Sequence, residues 1–298
     1  MKEVFFVKKI LLTGSSGQLG RAVRAEYKNE AQFILTDVSG PVLDVPEGMY
    51  LDITDADQVQ KTMKRVRPDV VINCGAMTDV DGCEADVDRA FRVNALGPRN
   101  LAAVADEIGA KMIHISTDYV FSGTDPNPLG ELEEPDPISV YGRSKLAGEN
   151  FVKDCTNRFF ILRTAWLYGE GKNFVNTMLK LAETRDEVSV VDDQIGSPTS
   201  AAELARVIHR LEPTICYGLY HATCEGSVSW ADFAKRIFEK AGKTMRVEAI
   251  SSAEYKKRNP NVADRPLFSI LDNRMMDLNG FPRMANWEKA FDEFMKKR

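Results

Sequence analysis

Tyr141 and Lys145 carry the clearest chemical signal in this chain. They stand four residues apart in the segment YGRSK, a spacing at which two helical side chains lie on one face and touch. A free tyrosine has a pKa of about 10, which is too high for efficient proton exchange at neutral pH. A lysine cation beside the phenol favours the phenolate and lowers that pKa. The pair therefore indicates a group that exchanges a proton with a substrate oxygen.

Thr117 is the second part of this chemistry. It ends a predicted strand in the segment STDYVF, where its hydroxyl can hydrogen-bond the same oxygen and fix its position. A Tyr and a Lys at this spacing arise often by chance on solvated helices. The pair gains weight because its helix follows a strand that ends in Ser116-Thr117. Proton donation of this kind is typically worth ~10² to 10⁴ in rate.

A glycine-rich loop, GSSGQLG, indicates a bound dinucleotide. It follows a predicted strand and opens a predicted helix, so the backbone must turn tightly and approach a pyrophosphate closely. The N–H groups at the start of the helix face the phosphates with a partial positive charge. The residues expected to bind the coenzyme here are Gly14, Gly17, Gln18, Leu19 and Gly20. A glycine turn without a ligand is the plain alternative, but a proton donor in the same site favours a nicotinamide coenzyme that moves hydride to or from a carbonyl.

Asp37, at the end of the second predicted strand, bears on which coenzyme is bound. A carboxylate there accepts hydrogen bonds from the ribose 2′-OH of the adenosine and repels a 2′-phosphate. This position therefore favours NADH. A nearby Arg24 or Lys28 would soften the preference, which leaves NADPH open.

Two further segments are expected to line the coenzyme. Asp52 and Ile53, in LDITD, border the adenine, and a helix N-cap at Thr54 or Asp55 is compatible with that role. The backbone that follows the third predicted strand lies at the carboxyl edge of the sheet, beside the dinucleotide. It comprises Gly75, Ala76 and Met77.

Strand and helix patterns alternate through the first half of the chain. Short, wholly apolar runs predict buried parallel strands at Lys9–Leu12, Gln32–Thr36, Val70–Asn73, Met112–Ser116 and Phe159–Leu162. Helices are predicted between and after them at Leu19–Lys28, Ala56–Val66, Asp86–Ile108 and Val140–Lys153. Repeated βα units of this kind predict an α/β fold with a Rossmann-like, doubly wound parallel sheet.

After Thr164 the regularity weakens. Helices are predicted near Asn173–Glu183, Ser200–Leu211, Trp230–Ala241 and Trp287–Lys296, and strands at Val188–Val191 and Tyr217–His221. We predict an NAD(P)-binding Rossmann-like domain over residues 1–165 and a smaller C-terminal α/β substrate-binding domain over residues 166–298. Part of residues 188–224 is expected to return to the main sheet.

Composition bounds the class of protein. The 298 residues are 44% hydrophobic and 28% charged, with a net charge of −5, which argues against nucleic acid or an anionic membrane as the main partner. The apolar run near the N-terminus leads directly into a strand, so we expect no signal peptide and no membrane span. Five cysteines without CxxC spacing indicate reduced thiols in a cytoplasmic protein. Three histidines without ligand spacing predict no metal site.

The chain resembles the extended short-chain dehydrogenase/reductases and, within them, the dTDP-4-dehydrorhamnose reductase family. The resemblance covers almost the full length. Its segments are GSSGQLG, LDIT, MTDVDGCE, VNALGPRNLA, STDYVFSG, YGRSKLAGE, RTAWLYG, NFV, DQIGSPT and RPLFSIL. The combination is specific, whereas the glycine loop and the Tyr-Lys pair alone fit the whole superfamily.

The resemblance implies residue roles and a reaction. Tyr141 is the proton donor, with Lys145 and Thr117 as its partners. The residues that contact the substrate are Thr78, Val80, Thr117, Asp118, Trp166 and Arg265. An indole face packs well on the apolar side of a pyranose, although a core position is the plain alternative for the tryptophan. The implied reaction is NAD(P)H-dependent reduction of the C4 ketone of dTDP-4-dehydro-L-rhamnose to dTDP-L-rhamnose, in nucleotide-sugar and cell-surface polysaccharide biosynthesis. The smaller domain is expected to hold the nucleotide, and a homodimer is left open.

One residue departs from the family pattern. The family usually has Ala between Thr and Val in the TxVD loop, where this chain has Asp79. An extra carboxylate near the substrate would change which nucleotide sugar is accepted, whereas a side chain that points to solvent would not. A different nucleotide 4-keto sugar is therefore an alternative substrate.

Other functions of related proteins are less well supported. Nucleotide-sugar dehydratases need a second carboxylate after the Thr-Asp pair, where this chain has Tyr119, and epimerases usually lack the Asp as well. The regulatory subunit of methionine adenosyltransferase resembles the same family and binds a partner protein. A complete motif set and the lack of an appended tail favour an enzyme over that role.

Overall fold

A computed structural model describes residues 7–38 and 48–298, which form fourteen strands and twelve α-helices in those ranges. The strands are β1 (Lys8–Thr13), β2 (Ala31–Asp37), β3 (Met49–Tyr50), β4 (Val70–Asn73), β5 (Lys111–Thr117), β6 (Phe159–Thr164), β7 (Leu167–Tyr168), β8 (Glu187–Val191), β9 (Ile195–Gly196), β10 (Thr199–Ser200), β11 (Gly218–His221), β12 (Val228–Ser229), β13 (Arg246–Ile250) and β14 (Phe268–Ser269). The helices are α1 (Gln18–Tyr27), α2 (Ala56–Val66), α3 (Val80–Ala85), α4 (Val87–Phe91), α5 (Gly97–Ile108), α6 (Val140–Cys155), α7 (Phe174–Leu181), α8 (Ala201–Leu211), α9 (Trp230–Lys240), α10 (Ser252–Arg258), α11 (Arg274–Leu278) and α12 (Trp287–Lys296).

Seven parallel strands form the main sheet, in the order β11-β6-β5-β4-β1-β2-β3. The chain leaves β1 toward β2 on one side and later returns to place β4 on its other side. This reversal of strand order opens a crevice beyond the carboxyl ends of β1 and β4, where doubly wound sheets bind ligands. The predicted fold class is confirmed.

Side chains of the sheet alternate between two apolar cores. Ile10 and Leu12 of β1 belong to the core that contains residues of α1 and α8, whereas Leu11 lies in the core with residues of α2 and α5. Both faces of these strands are therefore buried, which explains why they are apolar at successive positions.

The predicted helix Asp86–Ile108 is interrupted, which corrects the expectation of one continuous helix. α4 ends at Phe91, and a π-helical segment, Arg92–Leu96, joins it to α5. Pro98 lies in the first turn of α5 and has no N–H to donate four residues back, so the hydrogen-bond ladder widens there. The N–H of Gly97 instead reaches the carbonyl of Arg92. This bulge buries Asn94 completely.

The C-terminal region adds small sheets and helices beside the carboxyl edge of the main sheet. β8 pairs with β13, and β9 pairs with both β12 and β14. β11 pairs with β6 and so belongs to the main sheet. The strand β13 and the helix α10 were not predicted. The division at residue 165 stays a prediction. Among the helices of residues 7–38 and 48–298, none is long and apolar enough to cross a bilayer.

Candidate active site

The glycine loop has the geometry of a dinucleotide cradle. Gly14 has a φ of 60°, and a Cβ there would lie 2.7 Å from the backbone nitrogen of Gly75. A Cβ at Gly20 would collide with the carbonyl oxygen of Gly14. Gly17 is the N-cap of α1 and has no side chain that could accept a hydrogen bond. The first N–H groups of the helix therefore face the crevice without a capping side chain. The residues therefore fit a pyrophosphate.

A cavity of about 740 Å³ extends from this loop along the carboxyl edge of the sheet. Of the residues predicted to bind the coenzyme, those that line it are Gly14, Gly17, Gln18, Leu19, Gly20, Asp37, Asp52, Ile53, Gly75, Ala76, Tyr141 and Lys145. Met77 is not among the lining residues. Its backbone nitrogen donates to Oδ1 of Asn94 at 2.8 Å, and its carbonyl accepts from Nδ2 of Asn94 at 3.0 Å.

Asp37 lies at the adenosine end of this cavity and is 9% exposed. Its carboxylate accepts hydrogen bonds from the backbone N–H of Ser16, at 3.1 Å, and from the Ser16 hydroxyl. Arg21 lines the same end and donates its Nε–H to the carbonyl of Ser16 at 2.9 Å. Arg24 and Lys28, the cations expected here, are not among the lining residues. Arg21 is thus the residue that sequence reasoning missed, although it directly follows Gly20.

Asp52 lines the cavity together with Ile53, at the place where the sequence predicts the adenine. Its Oδ1 accepts from the backbone N–H and the hydroxyl of Thr54, at 2.9 and 2.8 Å. The choice of helix cap left open by the sequence is settled, because Asp55 accepts from the N–H of Gln58 at 2.9 Å and caps α2. The Asp52 side chain holds the turn and lines the cavity at once.

Tyr141 and Lys145 project from α6 into the cavity, as their spacing predicts. Ser139 caps this helix by accepting from the N–H of Gly142 at 3.1 Å. Lys145 is 2% exposed, and its Nζ donates to the carbonyl of Ile115 at 2.5 Å. Burial lowers the pKa of Lys145 to about 8, while the carboxylate of Glu149 opposes that shift. Lys145 is therefore mostly protonated at neutral pH and loses its proton at only slightly higher pH.

The expected pKa of Tyr141 is corrected. In the protein itself burial raises the pKa of its phenol, hydrogen bonding with Thr117 opposes the rise, and the carboxyl of Asp118 adds to it. At neutral pH the phenol therefore holds its proton, which is the form a proton donor needs.

Thr117 ends β5, and Asp118 follows it at the start of a 3₁₀ turn beside this phenol. The Thr117 hydroxyl donates to Oδ1 of Asp118 at 2.9 Å and accepts from the backbone N–H of Tyr119 at 3.2 Å. Burial raises the pKa of Asp118 to about 6. The ring of Tyr119 meets that of Tyr141 edge-on, with centroids 5.5 Å apart. Thr78 and Val80 line the same cavity, so the predicted substrate residues gather around the phenol.

Trp166 lines this cavity, but its indole is already stacked. It lies parallel to the indole of Trp230, with centroids 3.5 Å apart and planes 7° apart. Its φ of 47° is in the left-handed region, which is rare for a bulky residue. One face of the expected sugar-stacking surface is therefore covered by Trp230. No motif singled out Trp230, which the sequence places some sixty residues farther along.

A second cavity of about 600 Å³ adjoins the first. Tyr119 and Trp230 line both cavities. Arg265 lines the second one, where it donates to both carboxylate oxygens of Asp81 at 3.0 Å. The predicted substrate residues thus divide between two adjacent spaces, with Arg265 in the one farther from the coenzyme.

Asp79, the departure from the family pattern, caps a helix. Its Oδ1 accepts from the N–H of Gly82 at 3.1 Å at the start of α3, and it is not among the residues that line either cavity. Its next neighbour but one, Asp81, is the carboxylate that reaches Arg265. Of the two interpretations, the structure therefore supports the one in which the Asp79 side chain faces solvent.

Asn94 is a further residue of the site that sequence reasoning did not single out. Besides both backbone groups of Met77, it contacts the Ser144 hydroxyl at 3.0 Å. It thereby ties the loop after β4 to α6, at the residue directly before Lys145. The available signal was Pro98 four residues later, which predicts a disturbed helix at this point.

The fold and site together define a class of protein: a nicotinamide-coenzyme-dependent oxidoreductase of the short-chain dehydrogenase/reductase type. The chain matches the family model described as "RmlD substrate binding domain" over residues 8–298, and it belongs to that family.

Relatives of known name support this membership. The chain is 39% identical over 291 residues to the dTDP-4-dehydrorhamnose reductase of Mycobacterium tuberculosis strain H37Rv, covering 95% of this chain and 91% of that one. It is 37% identical over 293 residues to the spore coat polysaccharide biosynthesis protein SpsK of Bacillus subtilis, covering 97% and 98%. A solved structure of dTDP-4-dehydrorhamnose reductase from Bacillus anthracis in complex with NADP is 41% identical, with a TM-score of 0.91 and coverage of 98% and 100%.

Proposed function

We propose that this protein reduces the C4 ketone of dTDP-4-dehydro-L-rhamnose to dTDP-L-rhamnose with NADH or NADPH. The observation that carries the proposal is the meeting of the glycine cradle with Tyr141, Lys145 and Thr117 in one cavity. The named relatives act in this chemistry, and the similarity extends over nearly the whole chain. The reaction belongs to nucleotide-sugar biosynthesis.

The residues of the site divide the work of the reaction. The bound coenzyme supplies the hydride that reaches C4 of the sugar. The phenol O–H of Tyr141 gives its proton to the C4 oxygen, so that the ketone becomes an alcohol and the tyrosine is left as phenolate. Thr117 holds that oxygen beside the phenol, and Lys145 stabilises the phenolate and the coenzyme ribose by its charge. Solvent then returns the proton to Tyr141.

The coenzyme assignment follows from the adenosine end of the cavity. Asp37 favours a ribose with a free 2′-OH and hence NADH. Arg21, which lies at the same end, offers a cation to a 2′-phosphate. We therefore propose that the enzyme accepts both coenzymes, and the complex of the Bacillus anthracis relative with NADP supports the second.

The sugar and nucleotide are assigned to the two adjacent cavities. Thr78, Val80, Asp118 and Trp166 surround the space in front of Tyr141 and would contact the sugar. The second cavity, with Arg265, would hold the nucleotide. Asp79 gives no reason to expect a different sugar, because it caps α3. We place the reaction in the cytoplasm, where the five unpaired cysteines stay reduced.

The test is NADH oxidation by the purified protein with dTDP-4-dehydro-L-rhamnose, measured beside Tyr141→Phe. We expect the variant to lose about 10² to 10⁴ in kcat, because the proton donor is gone while the ring remains. Tyr119→Phe is the matched control: it removes the neighbouring phenol hydroxyl and should keep turnover within a few-fold. Full activity of Tyr141→Phe, or no turnover of this sugar by the wild type, would contradict the proposal.

A further inference from the structure

Glu149 continues the face of α6 that carries the proton donor. It stands four residues after Lys145, as Lys145 stands four after Tyr141, so the three side chains follow one stripe of the helix. The Glu149 side chain is fully buried. It does not line the cavity, so a role in the reaction must act through other residues.

Three side chains hydrogen-bond or pair closely with the Glu149 carboxylate. Arg163 of β6, itself 1% exposed, donates Nε–H to Oε1 at 2.9 Å and an Nη2–H to Oε2 at 2.8 Å. Ser116 of β5 donates its hydroxyl to Oε1 at 2.6 Å. Lys153 approaches Oε2 at 3.7 Å from the partly exposed end of the helix. A buried carboxylate held this fully joins three elements of the fold.

The same stripe of α6 holds successive residues at the end of β5. Lys145 binds the carbonyl of Ile115 and Glu149 binds the hydroxyl of Ser116, while the next residue, Thr117, lines the same cavity as Tyr141. The strand end that presents Thr117 is therefore fixed to the helix that presents the phenol and the ammonium.

We propose that Glu149 is a positioning residue for the reduction: paired with Arg163, it clamps Ser116 to α6 and maintains Lys145 as a cation beside Tyr141. The inference rests on the proposed role of Lys145 in the reaction. Glu149 touches neither cavity, and it acts through the strand end and through its charge.

The groups that face Lys145 single out Glu149 as the source of negative charge. Burial lowers the pKa of Lys145, and Glu149 is the largest opposing influence, followed by Cys74. Burial raises the pKa of the Cys74 thiol to about 12, so that thiol is neutral at neutral pH. Burial and the nearby Lys145 hold the pKa of His114, on β5, well below its usual range, so the imidazole is neutral too. Tyr141, on the same helix, keeps its proton.

The first test is Glu149→Gln, which removes the charge and keeps an oxygen that can accept a hydrogen bond. We expect the titration midpoint of Lys145 to fall by about 1 pH unit, because the ammonium loses its nearby anion. The alkaline limb of the pH profile of kcat should shift to lower pH together with this midpoint. The midpoint is read by NMR on protein with isotope-labelled lysine, and the signal is assigned by its loss in Lys145→Met.

A second variant separates charge from stability. Glu149→Gln leaves the buried guanidinium of Arg163 unpaired and should lower the Tm, whereas Glu149→Gln combined with Arg163→Met removes both charges, a change that is often near neutral. We expect the midpoint to stay low in the double variant while the Tm recovers. An unchanged midpoint in the double variant, or midpoints that follow the Tm, would overturn the proposal.

Glu131→Gln is the matched control. Glu131 is also buried, at 6% exposure, but it accepts from the backbone N–H groups of His221 and Met275. Its replacement should lower the Tm without moving the Lys145 midpoint. Because the NMR titration needs no turnover, it tests Glu149 even if the reductase assay fails, and a failed assay alone would count against the proposed function.

Discussion

The walls of the two adjacent cavities differ in how much they depend on closely packed backbone. On the coenzyme side, the part that fits a pyrophosphate is closely packed backbone: the glycine loop, the start of α1 and Gly75, which follows β4. The second cavity is made of side chains brought together from distant parts of the chain. Among them are Phe174, Gln194, Trp230, Tyr255, Arg265 and Leu267.

This difference decides how each side responds to substitution. The glycine cradle tolerates no added side chain at Gly14 or Gly20, because a Cβ there would overlap with main-chain atoms that cannot move aside. A wall of side chains can lose one contact and keep its shape, so its substitutions should change affinity for one ligand rather than abolish the site. The comparison therefore predicts large, general effects on the coenzyme side and smaller, selective effects on the other.

The largest expected effect comes from Gly20→Ala. Its Cβ would collide with the carbonyl of Gly14 and displace the loop that faces the pyrophosphate. We expect turnover to fall about 10²-fold, since a misplacement of about 1 Å has that cost, with a matching loss of NADH binding. Fluorescence titration with NADH and steady-state kinetics measure both. Gly130→Ala is the control, because a Cβ there meets nothing within 4 Å; equal behaviour of the two variants would break the comparison.

Arg265→Lys should act on the second cavity alone. Arg265 donates from Nη2 to both carboxylate oxygens of Asp81 and from Nη1 to the carbonyl of Ala263, and the single ammonium of lysine cannot reproduce this planar arrangement. We expect the KM for the nucleotide sugar to rise about tenfold, which corresponds to about 1.4 kcal/mol, while NADH affinity stays unchanged. Arg283→Lys, at an arginine paired with Asp272 and Asp277, is the control. Weakened NADH binding in Arg265→Lys would show that the cavities are not separable.

Asp37→Asn should change the preference between the two coenzymes. Removing the charge of the Asp37 carboxylate, which lines the cavity together with Arg21, lessens the repulsion of a 2′-phosphate while keeping an acceptor for Ser16. We expect the ratio of kcat/KM for NADPH to that for NADH to rise about fivefold, roughly 1 kcal/mol. Kinetics with each coenzyme at fixed sugar concentration measure the ratio. A fall in the ratio would mean that Asp37 does not face the ribose.

The smallest expected effect is on pH-dependent stability. Burial raises the pKa of Asp118 from 3.8 to about 6, so its contribution to stability is present below pH 3.8 and is lost as the pH rises through about 6. Asp118→Asn removes this loss and should raise the Tm at neutral pH by about 3 °C. Melting curves recorded from pH 4 to 7.5 measure the difference in Tm between this variant and the wild type.

Asp277→Asn is the control of opposite sign for that experiment. Hydrogen bonding with Arg283 lowers the pKa of Asp277, so its stabilisation is present at neutral pH and is lost on acidification. Its replacement should therefore give no gain in Tm at neutral pH. A Tm of Asp118→Asn below that of the wild type at neutral pH would contradict the burial argument.

Local sequence was enough for several elements of the coenzyme side. The strand Val70–Asn73 and the helix Ala56–Val66 begin and end where their apolar pattern and flanking residues predict. The Tyr-Lys pair shares a helix face because helical spacing requires it. The helix predicted at Asp86–Ile108 was wrong in its centre, since local periodicity does not register the hydrogen bond that Pro98 removes.

Tertiary structure alone decided the partners of those groups. Trp230 covers Trp166, Arg21 rather than Arg24 lines the adenosine end, and Glu149 meets Arg163 across two elements. Periodicity and spacing determine which face of an element a side chain occupies, because they follow from backbone geometry within one segment. They do not determine what covers that face, because that depends on how segments far apart in sequence pack together.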